Sequence, residues 1–335
     1  MRVLSLFDGM SCGQIALDQL GIPVEKYYAS EIDKYAIKVT QANYPDTIQV
    51  GDICELNPKD FMDVNLIMGG SPCQGFSFAG KQLAFDDPRS ALFFEFIRLL
   101  KAIKPKYFLL ENVRMKKEFL QVISQQVSEC YPEIPFGIEP IFINSSLVSA
   151  QSRQRYYWTN IPGIKQPEDR GIILRDILED NFDSERDKAH CIDANYYKGA
   201  SVEQYKKKHR RQLVVEKLPD KSQTIKSQYY KSSRANFERQ GTFHATGVPL
   251  ESKVREKSKT VRAGGRGSYD RHEWDSVDEL HWRKLTPLEC ERLQTVPDNY
   301  TNYVSNTQRY KMLGNGWTVE VIKHILKNMD IAYED

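Results

Sequence analysis

No apolar stretch in this chain approaches the ~18 residues needed to cross a bilayer. The first residues, MRVLSLFDG, enter a strand-like run at once and lack the longer apolar core of a secretory signal. Six cysteines, at positions 12, 54, 73, 130, 191 and 290, show no CxxC or CxxH spacing. That argues against a disulfide framework or a zinc site and fits a reducing, cytoplasmic compartment. Charge of one sign is also scarce overall: 47 Lys+Arg stand against 45 Asp+Glu, a net +2. What remains is ordinary globular composition, 40% hydrophobic and 27% charged. The 335 residues are enough for one large domain and a smaller one.

The small net charge hides an asymmetry. Between His190 and Arg271 there are 19 Lys+Arg and 8 Asp+Glu, a local +11 that leaves the rest of the chain at −9. The basic residues alternate with Tyr196, Tyr197, Tyr205, Tyr229, Tyr230, Phe237 and Tyr269. Cations interleaved with aromatics fit a nucleic-acid surface better than a merely solubilising one.

The stretch that organises the chain is 64–77, VNLIMGGSPCQGFS. Val64 to Met68 reads as a short buried strand. Gly69 and Gly70 end it, and Pro72 stiffens the backbone next to Cys73. A thiol held rigidly at the mouth of a strand suits a nucleophile, which must meet an electrophile at one place. A lone cysteine is more often a small buried hydrophobe, but packing does not require a Gly-Gly-Ser-Pro turn.

Strand-like runs alternate with helical ones through the first half. Residues 2–7 read as a strand, 8–13 as a tight loop and 14–20 as a helix, the opening of a nucleotide-type βαβ unit. A strand over 26–30 delivers Glu31, and one over 48–50 delivers Asp52. Acids at strand ends often only cap helices, yet two in succession behind a glycine loop fit a ligand edge. A loop over 74–90 leads to a helix over 91–101. A strand from 106 ends in Glu111-Asn112-Val113, a helix follows over 117–128, and 138–143 and 156–160 read as strands. Between these last two, alternation puts Gln151, Arg153 and Arg155 on one face of an extended segment. From 165 to about 282 the chain turns polar and basic. It contains two K-S-x-T-[I/V]-[K/R] pieces, at 221–226 and 257–262, that offer hydroxyls and cations to phosphates. Beyond it, Thr286, Pro287 and Glu289 mark a capped helix start. Residues 312–316 (MLGNG) read as a tight turn, and 317–329 as an amphipathic helix.

These pieces assemble into one chemistry. A thiolate adds to C6 of a pyrimidine whose ring is made electrophilic, and a carboxyl group at N3 does that for cytosine. C5 then becomes nucleophilic towards an electrophilic methyl group. Cys73 is the candidate nucleophile and Glu111 the group that holds or protonates N3. Arg153 and Arg155 are placed for O2 and the flanking phosphate. The Gly9 loop, Glu31 and Asp52 are placed for the methyl donor. The chemistry needs no metal.

On these residues the chain resembles the DNA (cytosine-5)-methyltransferases. The resemblance is carried by Phe7-Asp8-Gly9, Glu31, Gly51-Asp52, Gly70-Ser71-Pro72-Cys73-Gln74 and Glu111-Asn112-Val113. It continues through Gln151-Ser152-Arg153-Gln154-Arg155, residues 283–297 and Gly314-Asn315-Gly316, in the family's order. The first loop reads DGMSCG where many bacterial members have AGxGG. With Trp317 after the last turn, that resembles the animal de novo type of the same family.

The resemblance implies an α/β fold: a Rossmann-like S-adenosylmethionine-dependent methyltransferase sheet with helices on both faces, plus a smaller basic target-recognition domain. It implies a catalytic domain over 1–164 completed by 300–335, target recognition over 165–282 and a linking helix over 283–299. S-adenosylmethionine is the implied donor and S-adenosylhomocysteine the product. Donor contacts fall on Phe7, Asp8, Gly9, Met10, Gly13, Glu31, Ile32, Asp52, Ile53, Pro72, Asn315 and Trp317. The implied partner is double-stranded DNA, methylated by a monomer within restriction-modification, with a cognate endonuclease. A target base inside a duplex hides C6, so it must be swung out of the stack. The expected DNA contacts are Gln74, Ser77 and Lys81 in a closing loop, and Lys226, Tyr229, Arg262 and Arg266 in the basic region. Two other readings share parts of this pattern: an RNA (tRNA) cytosine-5 methyltransferase and a non-catalytic DNA-binding relative.

Overall fold

The computed structural model describes residues 1–71, 88–179, 182–199, 205, 211–216 and 282–330. Its centre is a seven-stranded sheet. The chain alternates β1 (Arg2–Leu6), α1 (Cys12–Gln19), β2 (Lys26–Ser30), α2 (Lys34–Asn43) and β3 (Ile48–Gln49). After β4 (Leu66–Gly69) come α3 (Pro88–Ile103), β5 (Tyr107–Val113) and α4 (Lys117–Cys130). Then β6 (Ile141–Asn144), β7 (Gln151–Ser152) and β8 (Gln154–Thr159) follow. The strand order is β3-β2-β1-β4-β5-β8-β6. The pairs β2–β3, β1–β2, β1–β4 and β4–β5 are parallel, and β8 runs antiparallel to both β5 and β6.

The central strands are short apolar runs because both their faces are covered. Leu4, Leu6, Ile67, Phe108 and Leu110 enter one core with Phe93 and Phe96 of α3 and Phe119 and Ile123 of α4. Alternate residues face the other way. Met68 meets α1 so closely that a Cβ on Gly13 would lie 2.6 Å from its Sδ. Chain order reverses between β1 and β4, and such switch points open a crevice at the carboxyl ends of the strands. The loops after β1, β2, β3, β4 and β5 all leave from that end.

The C-terminal part returns to this body through α5 (Pro287–Leu293), α6 (Asn306–Asn315) and α7 (Val319–Leu326). The start of α5 is a full capping box: Thr286 accepts from the Glu289 N–H, and Glu289 accepts from the Thr286 N–H. Within the body, the buried Glu291 of α5 takes the Arg309 guanidinium of α6 at 3.0 Å. The apolar face of α7 (Val321, Ile322, Ile325) is buried, and α7 packs on α1.

Two expectations need correction. Residues 312–315 are not a tight turn but the last turn of α6, which ends at Gly316. Gly314 reads as a breaker in sequence, yet it serves close approach: a Cβ there would lie 2.2 Å from the Asp193 carbonyl carbon. Likewise α3 begins at Pro88, so 88–90 belong to a helix and not to the expected 74–90 loop.

Contacts divide the chain into two compact units. The larger holds Met1–Leu178, Arg186–Leu213 and Lys284–Asp335, and the smaller holds Glu179–Glu185 and Val214–Arg283. Residues 165–178 and 186–213 lie with the larger unit. The smaller unit's described part is built on a three-stranded sheet, β12-β11-β9, formed by Trp282–Lys284, Leu213–Glu216 and Phe182–Asp183. There the Arg283 guanidinium lies 3.9 Å over the Phe182 ring. The two K-S-x-T pieces fall outside the described residues. In the larger unit a short β10 (Ala189–His190) pairs with β7 in parallel. No helix among the described residues is long and apolar enough to cross a membrane.

Candidate functional site

The first edge of the crevice is made where β1, β2 and β3 end. Glu31 stands one residue beyond β2, and its carboxylate is fixed by backbone donors. Oε2 accepts from the Gly9 N–H at 2.8 Å, and Oε1 accepts from the N–H groups of Ile32 and Asp33 at 2.8 Å each. Asp52, after β3, accepts from the Cys54 N–H at 2.9 Å and starts the short turn that buries Ile53. Arg98 of α3 holds that turn from behind, donating to the carbonyls of Ile53 and Leu56 at 3.1 and 3.0 Å. Ile32 is 74% exposed at this rim. Phe7 is half-buried and sits at φ +56, and Ser11 sits at φ +60. Left-handed backbone in non-glycine residues is a strain that clusters at ligand loops.

Behind this edge lies a network that spacing alone does not reveal. Asp8 accepts from the hydroxyls of Ser11 and, at 2.8 Å, Tyr27, and Ser11 reaches Thr40 at 3.2 Å. Burial pushes the Asp8 carboxyl up to about 6, against hydrogen bonds from Ser11, Ser5 and Tyr27. Met10 is buried, and its carbonyl accepts from the Tyr300 hydroxyl at 2.9 Å.

The second edge is made where β4 and β5 end. Glu111 is only 8% exposed. Its Oε1 meets Arg155 Nε at 2.7 Å across the β5–β8 pair, and its Oε2 accepts from the Trp317 indole N–H at 3.2 Å. Gly70 passes beside this pair, and a Cβ there would lie 2.9 Å from both Glu111 Oε2 and Trp317 Nε1. The next residue, Ser71, accepts from Asn112 Nδ2 at 3.2 Å. The backbone two residues before Cys73 is thus tied to the immediate neighbour of Glu111.

The two arginines of the QSRQR segment part company. Arg155 meets Glu111. Arg153 is 4% exposed and donates to the carbonyls of Ile192, Gly314 and Gly316 at 3.1, 3.1 and 2.9 Å, with the Cys191 sulfur at 3.4 Å. Residue 153 falls between β7 and β8, where the extended alternation breaks. The structure therefore gives Arg153 the work of a clamp between chain segments. Gln151 has a similar part, reaching Gln294 at 3.3 Å and accepting from the Ile192 N–H at 2.8 Å.

The expected donor contacts Phe7, Asp8, Gly9, Met10, Gly13, Glu31, Ile32, Asp52 and Ile53 all lie on β1–β3 or the loops and helix starts that follow them. Gly13, however, is packed against Met68 inside α1. Asn315 is exposed at the end of α6, and Trp317 is half-buried beside Glu111. Pro72, Cys73, Gln74, Ser77, Lys81, Lys226, Tyr229, Arg262 and Arg266 lie outside the described residues. Among the described residues no cluster of His, Cys, Asp or Glu is arranged to hold a metal ion. Sequence reasoning missed the Glu111–Trp317 contact and the Tyr27–Asp8 bond. The one signal for the first was Gly70, read as a turn residue when it also serves close approach.

A family model described as C-5 cytosine-specific DNA methylase matches residues 1–330. The type II methyltransferase M1.ScrFI of Lactococcus lactis subsp. cremoris is 31% identical over 337 residues, covering 98% of this chain and 77% of that protein. The type II methyltransferase M.HhaI of Haemophilus parahaemolyticus is 27% identical over 341 residues, covering 98% and 94%. Among solved structures, the methyltransferase EhMeth of Entamoeba histolytica matches with a TM-score of 0.66 at 15% identity, covering 98% of this chain and 97% of that one. A DNMT2 mutant of Spodoptera frugiperda matches with a TM-score of 0.63 at 22% identity, covering 98% of each chain. At these identities the two structures bear on the fold, which they share with the sheet described above.

Proposed function

The chain belongs to the C-5 cytosine-specific DNA methylase family, and from that premise we propose that it methylates C5 of cytosine within a specific duplex DNA sequence. Base flipping and a transient bond from Cys73 Sγ to C6 of the base are part of this reading. The observation that carries it is the Glu111 carboxylate, held between Arg155 and Trp317 at the mouth of β5, with the strand leading to Cys73 tied alongside through Ser71 and Asn112.

The donor edge fits S-adenosylmethionine. Phe7 and Ile32 offer apolar faces to the adenine, Glu31 offers a rigid acceptor to the ribose hydroxyls, and Asp52 with Ile53 borders the adenine edge. When bound, that donor supplies an electrophilic methyl group. The chain's own part is to make cytosine a nucleophile. The Cys73 thiolate adds to C6 while Glu111 holds N3, so electron density from the broken C5–C6 double bond collects at C5. Arg155 pairs with the carboxylate, and we assign it to O2 of the base. After C5 is methylated, a base takes its proton, the electrons of the C5–H bond restore the C5–C6 double bond, and the Sγ–C6 pair leaves with sulfur as the thiolate.

Flipping the base costs a few kcal/mol, which phosphate contacts must offset. We assign these to the basic region and to Gln74, Ser77 and Lys81, with 165–282 as the target-recognition segment and 283–299 linking it to the catalytic domain. The enzyme acts as a monomer on DNA in the cytoplasm of a bacterial or phage-infected cell, alongside a cognate endonuclease. The test is methyl transfer from labelled donor to duplex DNA in competition with tRNA, followed by bisulfite sequencing of DNA from expressing cells. Label in DNA at one sequence context supports the reading. Label in tRNA alone points to the RNA enzyme, and retention of DNA with no transfer to either points to a non-catalytic relative.

A further inference from the structure

The geometry points to Trp317 as a positioning residue that fixes the cytosine-side carboxylate and ties it to the donor loop, a role distinct from lining the donor cavity. The inference rests on the reading above, in which Glu111 engages N3 of the base.

Three observations carry it. First, the two carboxylate oxygens of Glu111 have different partners: Oε1 is in an ion pair with the Arg155 guanidinium at 2.7 Å, and Oε2 accepts from the Trp317 indole N–H at 3.2 Å. Tyr157, on β8 opposite Glu111, lies in the same pair of strands. Trp317 is the neutral donor to Glu111. Second, the contact is built in from the opposite side. Gly70 leaves just the space the pair occupies, since a Cβ there would lie 2.9 Å from both polar atoms. Third, Trp317 is itself anchored. The backbone beside it lies close to Cys12 at the start of α1, since a Cβ on Gly316 would come 3.4 Å from the Cys12 Sγ. Gly316 beside it approaches Met10, where a Cβ would lie 2.9 Å from the methionine Cε. Arg153 clamps the carbonyls of Gly314 and Gly316.

The indole is thus one end of a short rigid link whose other end lies in residues 10–12 of the donor loop. A carboxylate held only by Arg155 can turn about its Cγ–Cδ bond. With Oε2 also held, both oxygens keep one plane. Fixing that plane matters because hydrogen-bond catalysis at a ring nitrogen depends on alignment before the reaction begins. The buried position of Arg153 gains a purpose here, since it supports the turn that carries the indole.

The test uses the full chain and two variants, W317F and G70A. W317F keeps a ring and loses the donor; G70A keeps the indole and crowds both the indole and Oε2, disturbing the contact from the opposite side. Three quantities are read for each: donor dissociation constant, release of tritium from C5 of cytosine in duplex DNA without donor, and single-turnover methyl transfer. Loss of one hydrogen bond to a charged group predicts about a ten- to hundredfold fall in exchange and transfer together. Donor affinity should stay within about threefold. In parallel, the four tryptophans of the 15N-labelled chain give four indole signals. The one absent from W317F should shift in Glu111→Gln while the other three stay in place.

Weakened donor binding with unchanged exchange would make Trp317 a donor contact only and overturn the proposal, as would an indole signal indifferent to E111Q. If W317F fails to fold, G70A decides by the same criteria. Methyl transfer by the wild-type chain with normal exchange in both variants overturns the role of Trp317 alone. Absence of any transfer by the wild-type chain overturns the underlying functional reading.

Discussion

At the donor edge, the Glu31 carboxylate is held by N–H groups no more than 22 residues away, all of them backbone. At the base edge, the Glu111 carboxylate is held by two side chains, one on the neighbouring antiparallel strand and one 206 residues further along. Backbone donors come with the turn that creates them, and no single side-chain change removes them. Side-chain donors from distant segments hold only while the whole C-terminal part is folded back on the sheet. The donor edge should therefore tolerate substitution of its surroundings, whereas the base edge should report any disturbance of α5, α6 or the turn before α7.

The largest expected effect is at Glu111 itself. Glu111→Gln keeps the shape and removes the carboxylate, and kcat for methyl transfer should fall by about 10²–10⁴ with the unfolding transition little changed. Equal activity would show that the base edge does not touch the reaction.

Arg153→Met should act on the fold. It strips the buried carbonyls of Ile192 and Gly314 of a side-chain donor and leaves the Gly316 carbonyl with Gln294 alone. The cost is about 3 kcal/mol of unfolding free energy, read as a lower urea midpoint at constant m-value. A variant as stable as wild type but inactive would return Arg153 to the substrate-binding part that the sequence pattern suggested.

Glu31→Gln should weaken donor binding by about tenfold, measured by calorimetry, with turnover at saturating donor nearly unchanged. A loss of turnover without a loss of affinity would erase the division between the two edges.

The smallest effect separates the donor edge from its buried support. The Asp8 carboxyl sits at about 6 in the fold against an ordinary 3.8, so the native state favours its proton. That contribution is complete below about pH 4 and is lost as pH rises through about 6. Asp8→Asn removes the dependence. The stability of the variant relative to wild type should therefore climb by about 1–2 kcal/mol between pH 4 and 7 in urea titrations. A constant difference across that range would mean that Asp8 is not held in a proton-favouring environment.

Legibility in the sequence follows the same line. β2 falls at the bounds that pattern predicts, and the helix after it begins at a local cap, with Asp33 accepting from the Tyr35 N–H. The capping box of Thr286 and Glu289 was equally local. Glu31 and Asp52 could be placed because each follows its own strand directly. By contrast, α6 was hidden by Gly314, whose reason for being glycine is the Asp193 backbone more than a hundred residues earlier in the chain. The antiparallel β8 and the break at Arg153 were hidden for a similar reason: strand direction and the partners of a buried guanidinium depend on what packs from elsewhere. The bond between Trp317 and Glu111 left only one trace in the sequence, Gly70, whose need for close approach to both side chains pattern alone does not show.

The central claim is that the thiol at position 73 bonds to cytosine while Glu111 holds the ring. It is tested most directly by incubating the full chain with duplex DNA carrying 5-fluorocytosine in its target sequence, together with S-adenosylmethionine. Fluorine at C5 cannot leave as a proton does, so the account predicts a stable protein–DNA adduct, with the crosslinked peptide mapping to Cys73 and the yield collapsing in E111Q. Methylation of ordinary cytosine by the same preparation with no adduct, or an adduct mapping to another residue, would contradict it.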